Sequence, residues 1–311
     1  MLLLLSVPVL LAVSLVFSVA TNVSKKIYNR AVPQSKQSIW FFNTCMSFAC
    51  LIFIIIFSID PTAADPLAKL TDFSWASVGL GVLFGALVLI QTFTYMLALE
   101  IGPFSYTAVI VSLATLIAAL SGLFYGETID AFQIFGMGFM ILCVIFSTDK
   151  KKENKKSSLK WLVIALISCV TNGGVGAMQK IHQNSPYKAQ NTVFLVAAFV
   201  FMTLAACTMW LTLRHRSAPA ERFSPKPKYV ALACLSGTVL SVPHVANLYL
   251  AGALPSAVFF PIINTSSLIF TLIAATVIFR ERLSKLQWLG IALGLISSLF
   301  VSGTISTWIG M

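Results

Sequence analysis

The sequence predicts an all-α membrane protein, ten transmembrane helices arranged as two inverted five-helix repeats. Three observations carry that expectation: an apolar composition, ten hydrophobic runs of membrane-spanning length, and an internal match at an offset of half the chain. Of 311 residues 58% are hydrophobic and 10% charged, with a mean hydropathy of +0.90. No soluble globular domain is built that way, so a lipid bilayer is the first partner the chain requires.

A hydrocarbon core about 30 Å thick takes roughly 20 apolar residues per helix. The first run, 2–24, ends at Lys25-Lys26, and the second, 38–59, lies between Lys36 and Asp60. The third, 75–98, opens on Trp75, and the fourth, 103–124, follows Gly102 and closes before Gly126-Glu127. The fifth, 130–148, ends in a basic stretch beginning at Lys150, after which the sixth runs over 160–181. The seventh, 191–213, stops at Arg214; the eighth, 229–250, follows Lys228; the ninth, 255–279, opens on Pro255; the tenth is 286–306. The gaps are too short for a separate soluble domain, so the helices carry the function.

The net charge of +11 does not point to nucleic acid, because the basic residues fall between spans. Numbering the gaps alternately puts 18 of the 21 Lys and Arg on one side, and only Lys69, Lys180 and Lys188 on the other. The positive-inside rule then places the 18 in the cytoplasm and both termini outside the inner (cytoplasmic) membrane. Cys45, Cys50, Cys143, Cys169, Cys207 and Cys234 all fall inside spans without metal-type spacing, as small core residues do. No cofactor or metal is expected. Trp40, Trp75, Trp161 and Trp288 near span ends read as interface anchors.

Sliding the chain against itself gives one clear register, an offset of 154 residues: Tyr95 meets Tyr249, Glu127 meets Glu281, Gln133 meets Gln287, Gly136 meets Gly290 and Phe146 meets Phe300. Ser14, Val16, Lys26 and Ile27 likewise meet Ser168, Val170, Lys180 and Ile181. Ser18-Val19-Ala20 looks like a signal-peptide processing site, but a cleaved leader has no reason to match a later helix. The expected organisation is a first repeat over 1–149, a basic cytoplasmic linker over 150–159 and a second repeat over 160–311. Five is odd, so the second copy enters the membrane in the opposite sense, the arrangement of carriers that work by alternating access.

The shared pattern E-x5-Q-x2-G, the five-plus-five arrangement and the length resemble the EamA-domain branch of the drug/metabolite transporter superfamily. Arg280-Glu281-Arg282-Leu283-Ser284 through Gln287 and Gly290 resembles the usual form; in the first copy Thr128-Ile129 replaces the Arg-Leu pair. The resemblance implies a secondary transporter with a central cavity lined by the first, third and fourth helices of each half, and amino-acid or metabolite export. It also implies cytoplasmic termini, the reverse of what the Lys and Arg count gives.

Polar groups in mid-span are costly unless they face partners or water, so they are the candidates for a substrate path. They are Asn22 and Lys26 on the first helix, Gln91 and Tyr95 on the third, and Tyr106 and Ser112 on the fourth. The second half adds Asn172, Gln179, Lys180, His244, Asn247, Tyr249 and Asn264. Ordinary inter-helix hydrogen bonding competes with a substrate role for each. Lys26 and Lys180 are the sharpest pair, suited to an anionic group or to a gate. Pro243 is expected to loosen the eighth helix so that His244 and Asn247 face a cavity, and Gly173, Gly174 and Gly176 to loosen the sixth.

Glu127, Gln133, Gly136, Glu281, Gln287 and Gly290, the motif residues, read as structural, a carboxylate beside a turn commonly capping a helix or pairing with a cation. The spacings Gly81/Gly85, Gly122/Gly126 and Gly290/Gly294 allow close helix contact, and in the fifth and tenth helices a homodimer surface. Phosphate-cradling, zinc-hydrolase and nucleophile motifs are missing, so no enzyme is expected. A small-molecule carrier is the leading expectation, with a receptor or scaffold on the same fold as its rival.

Overall fold

The computed structural model describes residues 6–33, 35–59, 65, 67–101, 107, 110–111, 113–147, 159–219, 222–279 and 284–301. Every regular element among them is helical. In chain order they are α1 (Val7–Ala31), α2 (Lys36–Ser58), the single turn α3 (Ala68–Thr71), α4 (Trp75–Ile101), α5 (Ala114–Leu120) and α6 (Ala131–Ser147). Then come α7 (Leu159–Gln183), α8 (Asn191–Arg216), α9 (Pro227–Ala253), α10 (Ser256–Phe279) and α11 (Lys285–Val301).

Seven of these, α1, α2, α4, α7, α8, α9 and α10, are long and apolar enough to cross a membrane. The stretches Ala114–Tyr125, Ala131–Phe146 and Lys285–Val301 are apolar but shorter. The expected count of ten full spans is therefore met by seven among the described residues. Within the fourth expected span the longest described stretch is α5, continued by a 3-10 turn, Ser121–Tyr125. Gly126 ends that turn in the left-handed region, φ 77°, which a residue without Cβ adopts freely.

Several helices outrun the hydrophobic runs that announced them. α1 continues to Ala31, carrying Lys25, Lys26 and Arg30 on its last two turns rather than in a loop. Nothing before Pro33 interrupts its ladder, and in a bilayer an unmade backbone bond costs several kcal/mol. α2 starts at a capping box in which Ser35 and Ser38 bond reciprocally. The two copies of the shared motif do the same at α6 and α11. Gln133 accepts from the Asp130 amide and Asp130 from the Gln133 amide. Gln287 accepts from the Ser284 amide and the Ser284 hydroxyl from the Gln287 amide.

The helices touch in pairs: α1 with α9 and α4 with α7; α2 with α9 and α4 with α8; α1 with α10 and α5 with α7. In addition α2 packs on α8, α5 on α10, and α6 on α11. Lipid tails are as apolar as leucine, so close packing and polar contacts hold such helices together. Gly81 and Gly85 let α4 approach α8 until an added Cβ would stand 2.3 and 2.4 Å from the Phe194 and Ala198 carbonyl oxygens. Between α2 and α8, Thr203 donates to Ser47 at 3.0 Å. Large apolar side chains such as Val16, Leu204 and Val277 are left exposed, as a lipid-facing perimeter requires.

The small faces of the fifth and tenth helices, expected as a dimer surface, are used within the chain. An added Cβ on Gly136 would meet Val301 at 2.5 Å, and one on Gly294 would meet Ile269 at 2.6 Å and Cys143 at 2.8 Å. Gly290 is buried too. Two of the four tryptophans expected as interface anchors are likewise internal. Trp40 is 7% exposed and stacks on Phe93, and Trp161 is 5% exposed and donates to Thr107 at 2.8 Å. Trp75 and Trp288 are exposed, as interface anchors are.

Candidate functional site: a polar cavity between the helices

A cavity of about 290 Å³ lies among α1, α4, α5, α7, α9 and α10. Most of its wall is polar. α1 contributes Ser18, Thr21, Asn22 and Lys25; α4 contributes Gln91; α5 contributes Thr115. From the second half come Asn172 and Gln179 of α7, His244 and Asn247 of α9, and Asn264 and Ser267 of α10, with Phe259 and Phe260 as apolar surface. Among the described lining residues Lys25 is the one formal charge, and none is a carboxylate.

Helix contacts hold several of these groups. Asn22 donates to Thr271 at 3.2 Å and to Ser267 at 3.4 Å, tying α1 to α10. Asn264 donates to Thr115 at 3.1 Å, tying α10 to α5, and Ser14 donates to Asn247, tying α1 to α9. His244 is fixed edge-on by Phe84 and Phe199, with ring centroids 5.8 and 5.0 Å away. α9 runs unbroken through Pro243, and its face still brings Pro243, His244 and Asn247 to the cavity.

Next to Gln179 of the cavity wall, Lys180 belongs to a second polar cluster. Lys180, 5% exposed overall, forms an ion pair with Glu127 and donates to the carbonyls of Ala251 at 3.0 Å and Leu254 at 3.2 Å, where α9 ends. Glu127 in turn accepts from the Ser256 amide at 2.7 Å, in the first turn of α10. Cation at a helix C-terminus and anion at a helix N-terminus both complement the helix dipole, and the pair clamps the α9–α10 turn from its two sides. Gly122 makes the space: an added Cβ would fall within 1.8 Å of the Glu127 carboxylate and 2.9 Å of Ser256. Beside the clamp, Gly173 and Gly176 bring α7 onto α5. An added Cβ would stand 2.5 Å from Ile117 at the first position and 2.6 Å from Ala118 at the second. These glycines, expected to loosen the sixth helix, are contact points in a continuous α7.

Seven of the sequence candidates therefore line the cavity: Asn22, Gln91, Asn172, Gln179, His244, Asn247 and Asn264. Lys180 does not; its ammonium is spent on Glu127 and two carbonyls. Lys26, Tyr95 and Tyr249 are also absent from the wall, and Tyr249 packs against the apolar cluster around Leu10, Phe259 and Phe260. Tyr106, Ser112 and Glu281 lie outside the described residues. Sequence reasoning passed over Lys25, Thr115 and Ser267. The signal for Lys25 was available: it sits three residues from Asn22, on the same helix face.

Fold and cavity together define a multi-pass membrane protein whose helices enclose a small polar chamber. Residues 159–303 match the EamA-like transporter family, the family that the motif resemblance named, so the helices α7 to α11 form an EamA-like domain. No protein of curated function matches the chain in sequence. Among solved structures 28 chains match. One, described as "Crystal structure of protein", aligns with a TM-score of 0.72 over 98% of this chain and 99% of its own, at 11% identity. That likeness is one of fold.

Proposed function

We propose that the protein is a secondary transporter that carries a small polar metabolite through this cavity by alternating access. The observation that carries the reading is a chamber with polar walls built at the junction of six helices in an otherwise apolar bundle, in a chain whose second half is EamA-like. Polar surface at that depth is expensive unless it meets water or solute.

Alternating access follows from two inverted five-helix repeats, 1–149 and 160–311 joined by a basic linker, giving ten spans when the shorter apolar segments are counted. The contacts support this organisation. Under exchange of each helix with its partner 154 residues on, α1–α9 becomes α7–α4, α4–α8 becomes α9–α2, and α5–α7 becomes α10–α1. Each of these contacts occurs with its counterpart. Rocking one repeat against the other would open the chamber beside Glu127 and Lys180 while closing it beside Asn22, and the reverse. In this reading the 18 basic residues mark the cytoplasmic side and the Glu127–Lys180 clamp closes the chamber toward the outside.

The test is saturable, protein-dependent flux in proteoliposomes, with trans-stimulation by unlabelled solute. A solute that binds the purified protein yet shows no flux above protein-free liposomes sinks the transport reading and leaves a receptor.

A further inference from the structure

We infer that the cavity is selective for water-soluble organic anions, solutes carrying a carboxylate or a phosphate monoester, and that Lys25 is the residue that binds the anionic group. The inference rests on the transport reading for its physiological sense, but it concerns binding and is tested by binding.

Three observations lead to it. Among the described lining residues Lys25 is the one formally charged side chain, and none of them is Asp or Glu. A second deeply placed lysine, Lys180, is neutralised by Glu127 and two helix-end carbonyls, so the fold supplies counter-charges for a buried ammonium where it needs them. At Lys25 it supplies none among the lining residues. A cation kept in a low-dielectric chamber without an anion is costly, and the cost is recovered when a ligand brings the negative charge.

The remaining lining groups suit the rest of such a solute. Gln91, Asn172 and Gln179 offer amide donors and acceptors for hydroxyls or a second carboxylate oxygen, while Phe259 and Phe260 give an apolar face. The asymmetry between the repeats also fits. In the 154-residue register Lys25 corresponds to Gln179, so the two repeats place one cation and one neutral amide on the same chamber. One anionic group bound at one side is what that arrangement takes.

The test uses the full-length protein in a neutral detergent and probe pairs matched in shape but not in charge: succinate against succinamide, glycerol 3-phosphate against glycerol, lactate against lactamide, with choline as the cationic control. Thermal unfolding reports binding, because a ligand of the folded state raises the midpoint by mass action. Expected is a dose-dependent rise for at least one anion that its neutral partner fails to produce. Lys25→Gln should weaken that response about tenfold or more, the loss of one charge-assisted hydrogen bond, and Lys25→Arg should retain it. The probe pairs decide the matter on the unaltered protein even if Lys25→Gln folds poorly.

A response to neutral or cationic solutes alone, no response to any anion, or an anion response indifferent to Lys25→Gln in folded protein would each overturn the assignment. So would a rise caused by phosphatidylglycerol and by none of the soluble anions, which makes the site one for lipid headgroups. Saturable flux of a neutral solute would overturn the anion site and leave the transporter. Anion binding without flux would do the reverse.

Discussion

Lys25 of α1 and Lys180 of α7 lie one step apart in the 154-residue sequence register, each near the end of its helix, and their surroundings differ completely. Lys180 matches Lys26, and one step on a helix of 3.6 residues per turn is a rotation of about 100°. That rotation separates a cation facing the chamber from a cation turned into a neighbouring helix end. At the Lys180 end the charge is consumed in structure, by Glu127 and by the carbonyls of Ala251 and Leu254. At the Lys25 end the charge fronts a cavity with amides for company. Two lysines that look interchangeable in the sequence thus carry opposite costs when removed.

The largest expected effect is at the clamp. Lys180→Ala leaves Glu127 without its counter-ion, and breaking one side of such a pair costs about 3–5 kcal/mol. The thermal midpoint of the purified protein should fall well below that of the unaltered chain, and the folded yield with it. An unchanged midpoint together with reduced transport per folded molecule would return Lys180 to the substrate path and erase the contrast.

Next comes the seam beside the clamp. Gly176→Leu drives a side chain into Ala118 and Phe260, whose atoms already stand 2.6 and 3.0 Å from an added Cβ. Overpacking of this kind costs about 1–3 kcal/mol, read as a drop in midpoint. Wild-type stability would mean that α5 and α7 are not held together there.

A smaller loss, about 1 kcal/mol, is expected for Gln133→Ala, which removes half of the capping box at the start of α6. Gln287→Ala should cost a similar amount, because the corresponding box at α11 has the same geometry. Unequal effects would show that the shared motif does different work in its two copies.

No loss of stability is expected at Lys25. Lys25→Gln should leave the midpoint in the absence of solute unchanged or raised, since it breaks no ion pair with the described lining residues and removes a charge that they do not compensate. A loss as large as that at Lys180 would mean the ammonium is structural at both ends.

Much of this was legible in the sequence, for identifiable reasons. Charge and proline bound the apolar runs, so the long helices appear close to their expected ranges, and Asn172, His244 and Asn247 lie on the chamber as mid-span polar residues should. What escaped depends on rotation and on distant partners. That Lys25 and not Lys26 is among the described lining residues depends on which way the helix faces, and the match of Lys26 to Lys180 in the sequence carries no such information. The partner of Lys180 lies 53 residues earlier in the chain at Glu127, past the reach of local pattern. Trp40 and Trp161 looked like interface anchors because they sit near helix ends, but α4 supplies Phe93 against the first and Thr107 accepts from the second. The motif glutamines were read as structural, and their capping geometry supplies the reason.

Pro243 and Pro261 stand inside α9 and α10, two of the helices that wall the chamber. Each lacks an amide hydrogen, so the carbonyls one turn earlier, at Val239 and Ala257, have no rung of the ladder to accept. In hydrocarbon such an oxygen is a defect. The residues 154 positions earlier, Leu89 and Thr107, keep their amides. Bending α9 at Pro243 or α10 at Pro261 therefore gives up one backbone hydrogen bond fewer than bending the chain at those earlier positions.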